Sequence, residues 1–348
     1  MIKVLIVEDS LVIQEFLTAM LSSDPEIQVV GTAPNGAAAL EAVKLHRPDV
    51  ITMDIHMPKM NGFDATRRIM ETHPTPIVIV SGSTSLKELT TTFRAMESGA
   101  LSVVQRPAGV GHPDHEVTAK ELIQTVKLMA EVKVVRRWAR PQPELRSKET
   151  VALARLRPSA PIRIVAIGAS TGGPLVIRDI LAGLPEDFPA PVLIVQHMAS
   201  GFIQGFAEWL THSCGFPVHV ATHGETPRPG HAYLAPDEFQ MGVEAGGHII
   251  LSRDEPENGL RPSVSYLFRS VAHHFGPQAV GVLLTGMGKD GAEELKLMKE
   301  KGAITIAQDQ ESCVVYGMPG EAVKLDAAAH VLSSDKVATA LISLVDKK

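Results

Sequence analysis

An apolar run that ends in a serine framed by glycines constrains the fold more than any other stretch of the chain. Residues 162–169 are mainly apolar and predict a buried strand, and Ser170 then stands between Gly168 and Gly172 in the pattern of a sharp strand-to-helix turn. Pro174 suits the first turn of a helix, because no backbone N–H is needed there. Such a turn raises a serine hydroxyl clear of the backbone, beside N–H groups that can hold an oxyanion. The stretch therefore predicts an α/β domain with Ser170 as a candidate nucleophile.

Composition narrows the class of protein. The chain has 348 residues, 45% of them hydrophobic, which predicts two or three domains with packed cores. Its formal net charge of -6 gives no argument for nucleic-acid binding, and no run of about 18 apolar residues predicts a membrane span. The first residues lack the long apolar region of a signal peptide, and Cys214 and Cys313 match no disulfide or metal pattern. We therefore expect a cytoplasmic protein that neither binds nucleic acid nor inserts into a membrane.

The first part of the chain alternates between buried-strand and amphipathic-helix patterns. The predicted strands are Ile2–Val7, Gln28–Thr32, Val50–Met53, Ile77–Val80 and Leu101–Val104. The predicted helices are Leu11–Ser22, Gly36–His46, Phe63–Thr72, Leu86–Ser98 and Glu116–Val135. Five such βα units predict a doubly wound parallel sheet, in which ligands bind at the carboxyl ends of the strands.

Acidic side chains gather at those strand ends. Glu8 and Asp9 close the first predicted strand and Asp54 closes the third, so three carboxylates repel one another unless a cation lies among them. An oxygen-rich site of this kind suits Mg²⁺, and an aspartate beside Mg²⁺ can accept a phosphoryl group. Ser81 closes the fourth strand and could donate a hydrogen bond to the phosphate, and Arg106 after the fifth could pair with it.

Residues 1–125 resemble a response-regulator receiver domain, with a flavodoxin-like (βα)5 fold. The resemblance rests on Glu8-Asp9, Asp54, Met57-Pro58, Asn61-Gly62, Ser81-Gly82 and Arg106-Pro107. It implies that Asp54 takes phosphate from a sensor histidine kinase, and that Glu8, Asp9, Asp54 and the His56 carbonyl hold Mg²⁺.

Arg106 departs from the receiver pattern, because receivers normally carry lysine at this position. Arginine keeps the positive charge but is bulkier and forked. The alternative to a working switch is therefore a receiver-shaped domain that no longer responds to phosphorylation.

A linker separates this domain from the rest of the chain. Residues 126–160 read as the end of a helix followed by a basic, proline-containing segment, which predicts an extended, semi-rigid connection. A basic segment can also contact nucleic acid, but a solvated hinge between domains is the simpler interpretation. The predicted second domain is residues 161–348.

The second domain again alternates strands and helices around a parallel core. After the Ser170 turn we predict helix Leu175–Ala182, strand Val192–Gln196, helix Gly201–Cys214, a β-hairpin excursion over Pro217–Leu251, helix Val264–Phe275, strand Ala279–Leu284, helix Ala292–Lys301, strand Ile304–Ala307, a short helix from Glu321, strand His330–Leu332 and helix Ser334–Val345. The pattern predicts a doubly wound α/β domain.

Ser170, His197 and Asp290 each follow an apolar strand directly in this prediction, so they should meet at one edge of the sheet. A serine nucleophile needs a base, and the base needs an orienting carboxylate, which these three residues supply. Their order along the chain, Ser–His–Asp, excludes an ordinary α/β-hydrolase. Glycines before Asp290 make the Met287 amide an oxyanion candidate. Taken singly, the same features also fit a structural histidine, an Asp-Gly turn or a phosphate loop, although Gly-Lys-Ser/Thr is missing.

Residues 161–345 resemble the catalytic domain of the chemotaxis protein-glutamate methylesterases. The motifs are Gly168-Ala169-Ser170-Thr171-Gly172-Gly173, Gln196-His197-Met198, Arg261-Pro262-Ser263, Leu284 to Gly291 and Tyr316-Gly317-Met318-Pro319. The resemblance implies Ser170 as nucleophile, His197 as base, Asp290 as its orienter, Thr171 as support and the Met287 N–H as oxyanion donor, with no cofactor.

The receiver–linker–esterase order also matches that family, so the resemblance covers nearly the whole chain. It implies a phosphorylation-activated esterase whose substrates are glutamate γ-methyl esters on methyl-accepting chemoreceptors, with deamidation of receptor glutamines as a second activity. The rival classes are a non-catalytic adaptor that only binds receptors and a transcriptional regulator, which would need a basic recognition helix in the second domain.

Overall fold

The computed structural model describes residues 1–82, 92–93, 95–132, 134 and 158–345. The chain divides into two compact units, Met1–Gln142 and Pro143–Lys348. Within the described residues, no helix is long and apolar enough to cross a membrane.

The first unit is built on a five-stranded sheet in the order β2-β1-β3-β4-β5, with every neighbouring pair parallel. Its elements are β1 Ile2–Val7, α1 Leu11–Leu21, β2 Ile27–Ala33, α2 Gly36–His46, β3 Val50–Met53, α3 Gly62–Thr72, β4 Ile77–Ser81, β5 Ser102–Gln105 and α4 His115–Ala130. This strand order is that of flavodoxin-like folds, so the predicted fold class is confirmed. The helix predicted over 86–98 lies mainly outside the described residues.

Helix starts and strand burial in this unit follow from local sequence. Asn35 and Asn61 cap α2 and α3, because each side chain accepts a hydrogen bond from the backbone N–H three residues later. Strands β3 and β4 are buried along their whole length, as parallel strands covered on both faces should be. The last helix ends at Ala130, so the prediction that it continues to Val135 was wrong.

The second unit contains a seven-stranded sheet in the order β14-β13-β12-β6-β7-β9-β8, again with parallel neighbours. Its strands are β6 Ile164–Ala169, β7 Val192–Gln196, β8 Val218–Val220, β9 Ala232–Leu234, β10 Gln240–Val243, β11 Ile249–Ser252, β12 Ala279–Leu283, β13 Ile304–Gln308 and β14 His330–Leu332. Its α-helices are α5 Gly173–Ala182, α6 Ile203–Cys214, α7 Val264–His274, α8 Ala292–Glu300, α9 Met318–Lys324 and α10 Ser334–Val345.

The excursion predicted over Pro217–Leu251 is divided between two sheets. Strands β10 and β11 form an antiparallel hairpin, as predicted. Strands β8 and β9, however, extend the main parallel sheet beyond β7, because β9 pairs with both β7 and β8. Helix α9 begins at Met318 rather than at Glu321, with Pro319 in its first turn, where proline is well tolerated.

The direction of chain crossover changes at β6. Strand β7 lies on one side of β6, whereas β12 lies on the other. The carboxyl ends of these neighbouring strands frame the crevice in which open α/β sheets bind their ligands. The turns that follow β6, β7 and β12 border this crevice, so we expect them to carry the reactive residues of the second unit.

Candidate active site

Ser170 lies in a tight turn between β6 and α5. Gly173 N–H donates to the Ser170 carbonyl over 2.8 Å, and Ser170 N–H donates to Thr285 O over 3.0 Å. Gly172 has a φ of 79° and precedes the helix, and a Cβ on it would lie 2.6 Å from Val314. Only glycine meets both demands, so the glycine after the serine is explained by conformation and by space.

His197 follows β7 directly, beside the Ser170 turn. Its backbone N–H donates to Ala169 O over 2.9 Å, which continues the pairing of β6 with β7. The ring atom Nε2 lies 2.9 Å from Oδ2 of Asp290, and the side chains are 11% and 2% exposed. The imidazole ring and the carboxylate are therefore close enough to interact directly.

Asp290 is held by the first turn of helix α7. Oδ1 accepts hydrogen bonds from Ser263 Oγ at 3.1 Å and from Ser265 N at 3.1 Å, and Oδ2 accepts one from Val264 N at 2.7 Å. Burial alone raises the pKa of Asp290, but contact with the charge of His197 and the bonds from Ser265 and Val264 lower it below its ordinary value. His197 and the N-terminal turn of α7 together hold the pKa of this buried carboxyl below its ordinary value.

Asp290 does not follow β12 directly, and this part of the sequence prediction was wrong. Strand β12 ends at Leu283, and residues 284–289 form a loop that passes over the serine turn before Asp290 begins the approach to α8. A Cβ on Gly286 would lie 2.7 Å from Ser170 Cβ, so the loop backbone lies against the serine. Gly317 N–H and Met318 N–H both donate to Gly286 O, over 3.0 and 2.9 Å, which fixes the loop there.

Thr285 ties this loop to the turn after Ser170. Its hydroxyl is fully buried, donates to Thr171 O over 2.9 Å and accepts from Val315 N over 3.0 Å. Met287 follows in the loop and is 58% exposed. Among the described residues, neither Met287 N–H nor Thr171 N–H donates to another backbone carbonyl. Both amides are therefore available to an oxyanion.

A second cluster of functional side chains lies at the carboxyl edge of the first sheet. Oxygen atoms of Glu8, Asp9 and Asp54 all lie within 4.8 Å of one another, with Glu8 and Asp54 buried and Asp9 exposed. Arg106 Nη2 lies 3.1 Å from Glu8 and 3.5 Å from Asp54. One guanidinium cannot balance three carboxylates, and an oxygen-only donor set is the kind that Mg²⁺ prefers. The residues present therefore fit a magnesium ion.

The pKa values of the buried carboxyls in this cluster are raised. Burial, followed by the charge of Asp54, raises the pKa of Glu8 to about 7, although Arg106 opposes the change. Burial likewise raises the pKa of Asp54, again opposed by Arg106. Both carboxyls would be stabilised as anions by an added cation.

The remaining predicted receiver residues lie near this cluster. Ser81 is buried at the end of β4, and its carbonyl accepts a 2.7 Å hydrogen bond from Arg106 N. His56 is exposed in the loop after Asp54 and lines an open groove with Asp9.

Comparison with known proteins assigns both units. The family model for the CheB methylesterase matches residues 165–341, and the model for the response regulator receiver domain matches residues 4–112. A relative from Nitrosospira multiformis, a "protein-glutamate methylesterase/protein-glutamine glutaminase", is 60% identical over 348 residues, which are all of this chain and 98% of the relative.

The chain belongs to the CheB methylesterase family.

Further relatives agree with this assignment. A Geobacter metallireducens protein with the same functional name is 58% identical and matches over the full length of both chains. The crystal structure of the Thermotoga maritima CheB methylesterase catalytic domain is 38% identical, with a TM-score of 0.51, over 53% of this chain and 98% of that structure. The CheB catalytic fold is thus matched by the second unit alone, whereas the sequence relatives span both units.

Three residues that contact the predicted catalytic residues or their turns were not assigned a role from the sequence. Gln196 donates to the carbonyls of the serine and histidine turns, Ser263 donates to Asp290, and Thr285 donates to Thr171 O. The signals were present but weak. Each is a polar residue beside an apolar run, and Ser263 also stands at the N-cap of a helix.

Proposed function

We propose that the chain is a phosphorylation-activated serine esterase that hydrolyses glutamate γ-methyl esters on methyl-accepting chemoreceptors and deamidates receptor glutamines. The observation that carries the proposal is the 2.9 Å contact between His197 and a buried, helix-bound Asp290, beside a serine presented on a strand-to-helix turn. The functional names of the relatives support both activities.

Ser170 is the proposed nucleophile and His197 the general base. Because Nε2 of His197 faces Asp290, Nδ1 is the nitrogen left to take the Ser170 proton. Ser170 Oγ then bonds to the ester carbonyl carbon, and the proton passes from His197 to the departing methoxide, which leaves as methanol. A water molecule, deprotonated by the same nitrogen, hydrolyses the acyl-enzyme and restores Ser170. Asp290 fixes the ring orientation and stabilises the imidazolium formed in each step.

The tetrahedral intermediates carry a negative oxygen that needs donors. We assign this role to Met287 N–H, with support from Thr171, because the loop that carries Met287 lies against Ser170. Glutamine deamidation passes through the same oxyanion, with ammonia as the leaving group instead of methanol. The esterase site needs no cofactor in this mechanism.

Control is proposed to come from the receiver, with Asp54 as phosphoacceptor and a sensor histidine kinase as donor. Glu8, Asp9, Asp54 and the His56 carbonyl would hold Mg²⁺, which offsets negative charge on the transferring phosphoryl oxygens. Ser81 and Arg106 would bind the phosphoryl group once it is attached. We further propose that the chain acts in the cytoplasm, where it would meet the receptor segments and the kinase, with residues 1–125 as receiver, 126–160 as linker and 161–348 as catalytic domain.

The proposal is tested by the release of methanol from methylated receptor membranes and of ammonia from receptors that carry glutamine at the modified sites. We expect Ser170→Ala to abolish both, because one nucleophile serves both reactions. Ser343→Ala is the matched control, since that hydroxyl donates to a carbonyl of α10. Release of either product by Ser170→Ala at the native rate would overturn the assignment.

A further inference from the structure

Gln196 is a buried amide that contacts both catalytic turns. It is the last residue of β7 and is 3% exposed. Its Nε2 donates to Ser170 O over 2.8 Å and to His197 O over 2.8 Å. One side-chain NH₂ group therefore joins the backbone of the proposed nucleophile to the backbone of the proposed base.

The orientation of this amide follows from its surroundings. With the amide reversed, Oε1 would face two carbonyl oxygens, and three acceptors cannot satisfy one another. In the observed orientation Oε1 is buried without a hydrogen-bond partner and lies against Gly173, where a Cβ would overlap it. The two donated bonds are thus kept although the acceptor atom has no partner, a cost that a purely space-filling residue would avoid.

The bond to Ser170 O also sets the direction of the next backbone N–H. The carbonyl of Ser170 and the N–H of Thr171 belong to one planar trans peptide, so they point in opposite directions. Fixing the carbonyl toward Gln196 turns the Thr171 N–H away from it, and that N–H donates to no backbone carbonyl among the described residues. In serine hydrolases with a strand-to-helix nucleophile turn, the N–H after the nucleophile is an oxyanion donor.

We propose that Gln196 is a positioning residue for the esterase. It fixes the separation of the Ser170 and His197 turns and aims the Thr171 N–H at the oxyanion. Gln196 touches no reacting atom in this role, and the inference rests on the function proposed above.

The test uses the full chain with Mg²⁺ and a phosphodonor, and measures kcat and KM for methanol release from methylated receptor membranes. Gln196→Met keeps the shape and removes both donors, and Gln196→Glu keeps the shape but replaces the NH₂ group with oxygen. Thr305→Val is the matched control, because Thr305 is equally buried in β13 and donates a 2.7 Å hydrogen bond to Ala327 O, in another part of the sheet. The rate at which a fluorophosphonate labels Ser170 is measured in parallel.

We expect Gln196→Met to lower kcat about 100-fold, the lower end of the effect of removing one oxyanion donor, with KM changed less than threefold. Fluorophosphonate labelling should slow in proportion. Thr305→Val should keep kcat within threefold of the native value, even if its melting temperature falls as much as that of Gln196→Met.

The Gln196→Glu variant adds a readout that loss of stability would not produce. A buried carboxyl that faces two carbonyl oxygens is protonated at higher pH than usual, and its O–H can then donate to one of them. The ratio of the kcat of this variant to the native kcat should rise about tenfold between pH 8.5 and pH 6, whereas the ratio for Gln196→Met should stay constant.

A native chain that releases no methanol would overturn the proposed function itself. With an active native chain, the positioning role fails if Gln196→Met keeps kcat within threefold, or if Thr305→Val loses as much. It also fails if the Gln196→Glu ratio does not change with pH. The pH ratio decides the question where Gln196→Met does not fold.

Discussion

At the scale of single residues, the buried carboxyl groups of the two units differ in how the protein stabilises their charge. Asp290 is 3% exposed and ionised, because three donors of the α7 turn and the ring of His197 surround its two oxygens. Glu8 and Asp54 are also buried, but burial raises their pKa values more than Arg106 lowers them. The protein itself supplies the partners of the Asp290 carboxylate, whereas the cluster that contains Glu8 and Asp54 is suited to a bound cation.

The lowered pKa of Asp290 predicts how stability depends on pH. A carboxyl whose pKa falls on folding stabilises the native state above its unfolded pKa of about 4, and this contribution is lost as pH falls through the folded value. Asp290→Asn should therefore destabilise the second unit by about 2 kcal/mol at pH 7 and by less at pH 3.5. Urea unfolding followed by Trp209 fluorescence, in a Trp138→Phe background, measures the difference.

The control for this prediction is Asp179→Asn, because the Asp179 side chain is 60% exposed. That change should alter stability by less than about 0.5 kcal/mol at either pH. A loss for Asp290→Asn that is the same at pH 3.5 and pH 7 would show that the carboxyl is not held as an anion.

The raised pKa of Glu8 predicts the opposite dependence. Its contribution to stability is fully present below about pH 4.5 and is lost as pH rises through about 7, because the native state disfavours the anion. Without Mg²⁺, Glu8→Gln should therefore stabilise the receiver by about 1–2 kcal/mol at pH 8, after allowance for screening and for the lost contact with Arg106. The gain should vanish near pH 4.5.

Hydrogen exchange of peptides from β1 and β3, measured with a chelator present, reports this change. Glu41→Gln is the control, since that side chain is 74% exposed. A Glu8→Gln variant that is less stable than the native chain at pH 8 would contradict the prediction.

At the scale of the elements, the second sheet and helix α7 meet where glycine is required. A Cβ on Gly168 in β6 would overlap Val264, and a Cβ on Gly291 would overlap the same side chain. Val264 also supplies the N–H that binds Oδ2 of Asp290 over 2.7 Å. Close packing of strand against helix thus sets the distance from the helix N-terminus to the Asp290 carboxylate.

This packing predicts a specific coupling between two substitutions. Gly168→Ala should destabilise the second unit by about 2 kcal/mol through overpacking, and by less than about 1 kcal/mol when Val264 is already alanine. Chemical unfolding of the four members of the cycle measures the coupling. Gly109→Ala, with open space around it, should be nearly neutral. Additive effects of Gly168→Ala and Val264→Ala would show that the two side chains do not compete for space.

The elements themselves were largely predictable from the sequence, because parallel strands buried on both faces leave continuous apolar runs such as 164–169 and 192–196. The strand-end positions of Ser170, His197 and Asp54 followed from the same runs. The placement of β8 and β9 was not predictable, since three-residue strands carry little pattern. Nor was the support of Asp290, because its donors lie 25 to 27 residues away along the chain and meet it only through the packing of α7.

At the scale of the whole molecule, the chain joins two sheets with separate tasks. The carboxyl edge of the first carries Glu8, Asp9 and Asp54, and that of the second carries Ser170 and His197. Control of the second edge by phosphate on the first is the part of the proposed function that belongs to the full chain. A test of this control must therefore follow phosphorylation of the first unit and ester hydrolysis by the second unit in the same experiment.

That measurement is the rate of methanol release from methylated chemoreceptor membranes by the full chain in Mg²⁺, with and without a small phosphodonor. We expect the native chain to be faster with the donor, Ser170→Ala to be inactive in both conditions, and Asp54→Asn to show one rate in both. Equal release by the native chain with and without the donor would contradict control through Asp54, and release by Ser170→Ala would contradict the assigned nucleophile.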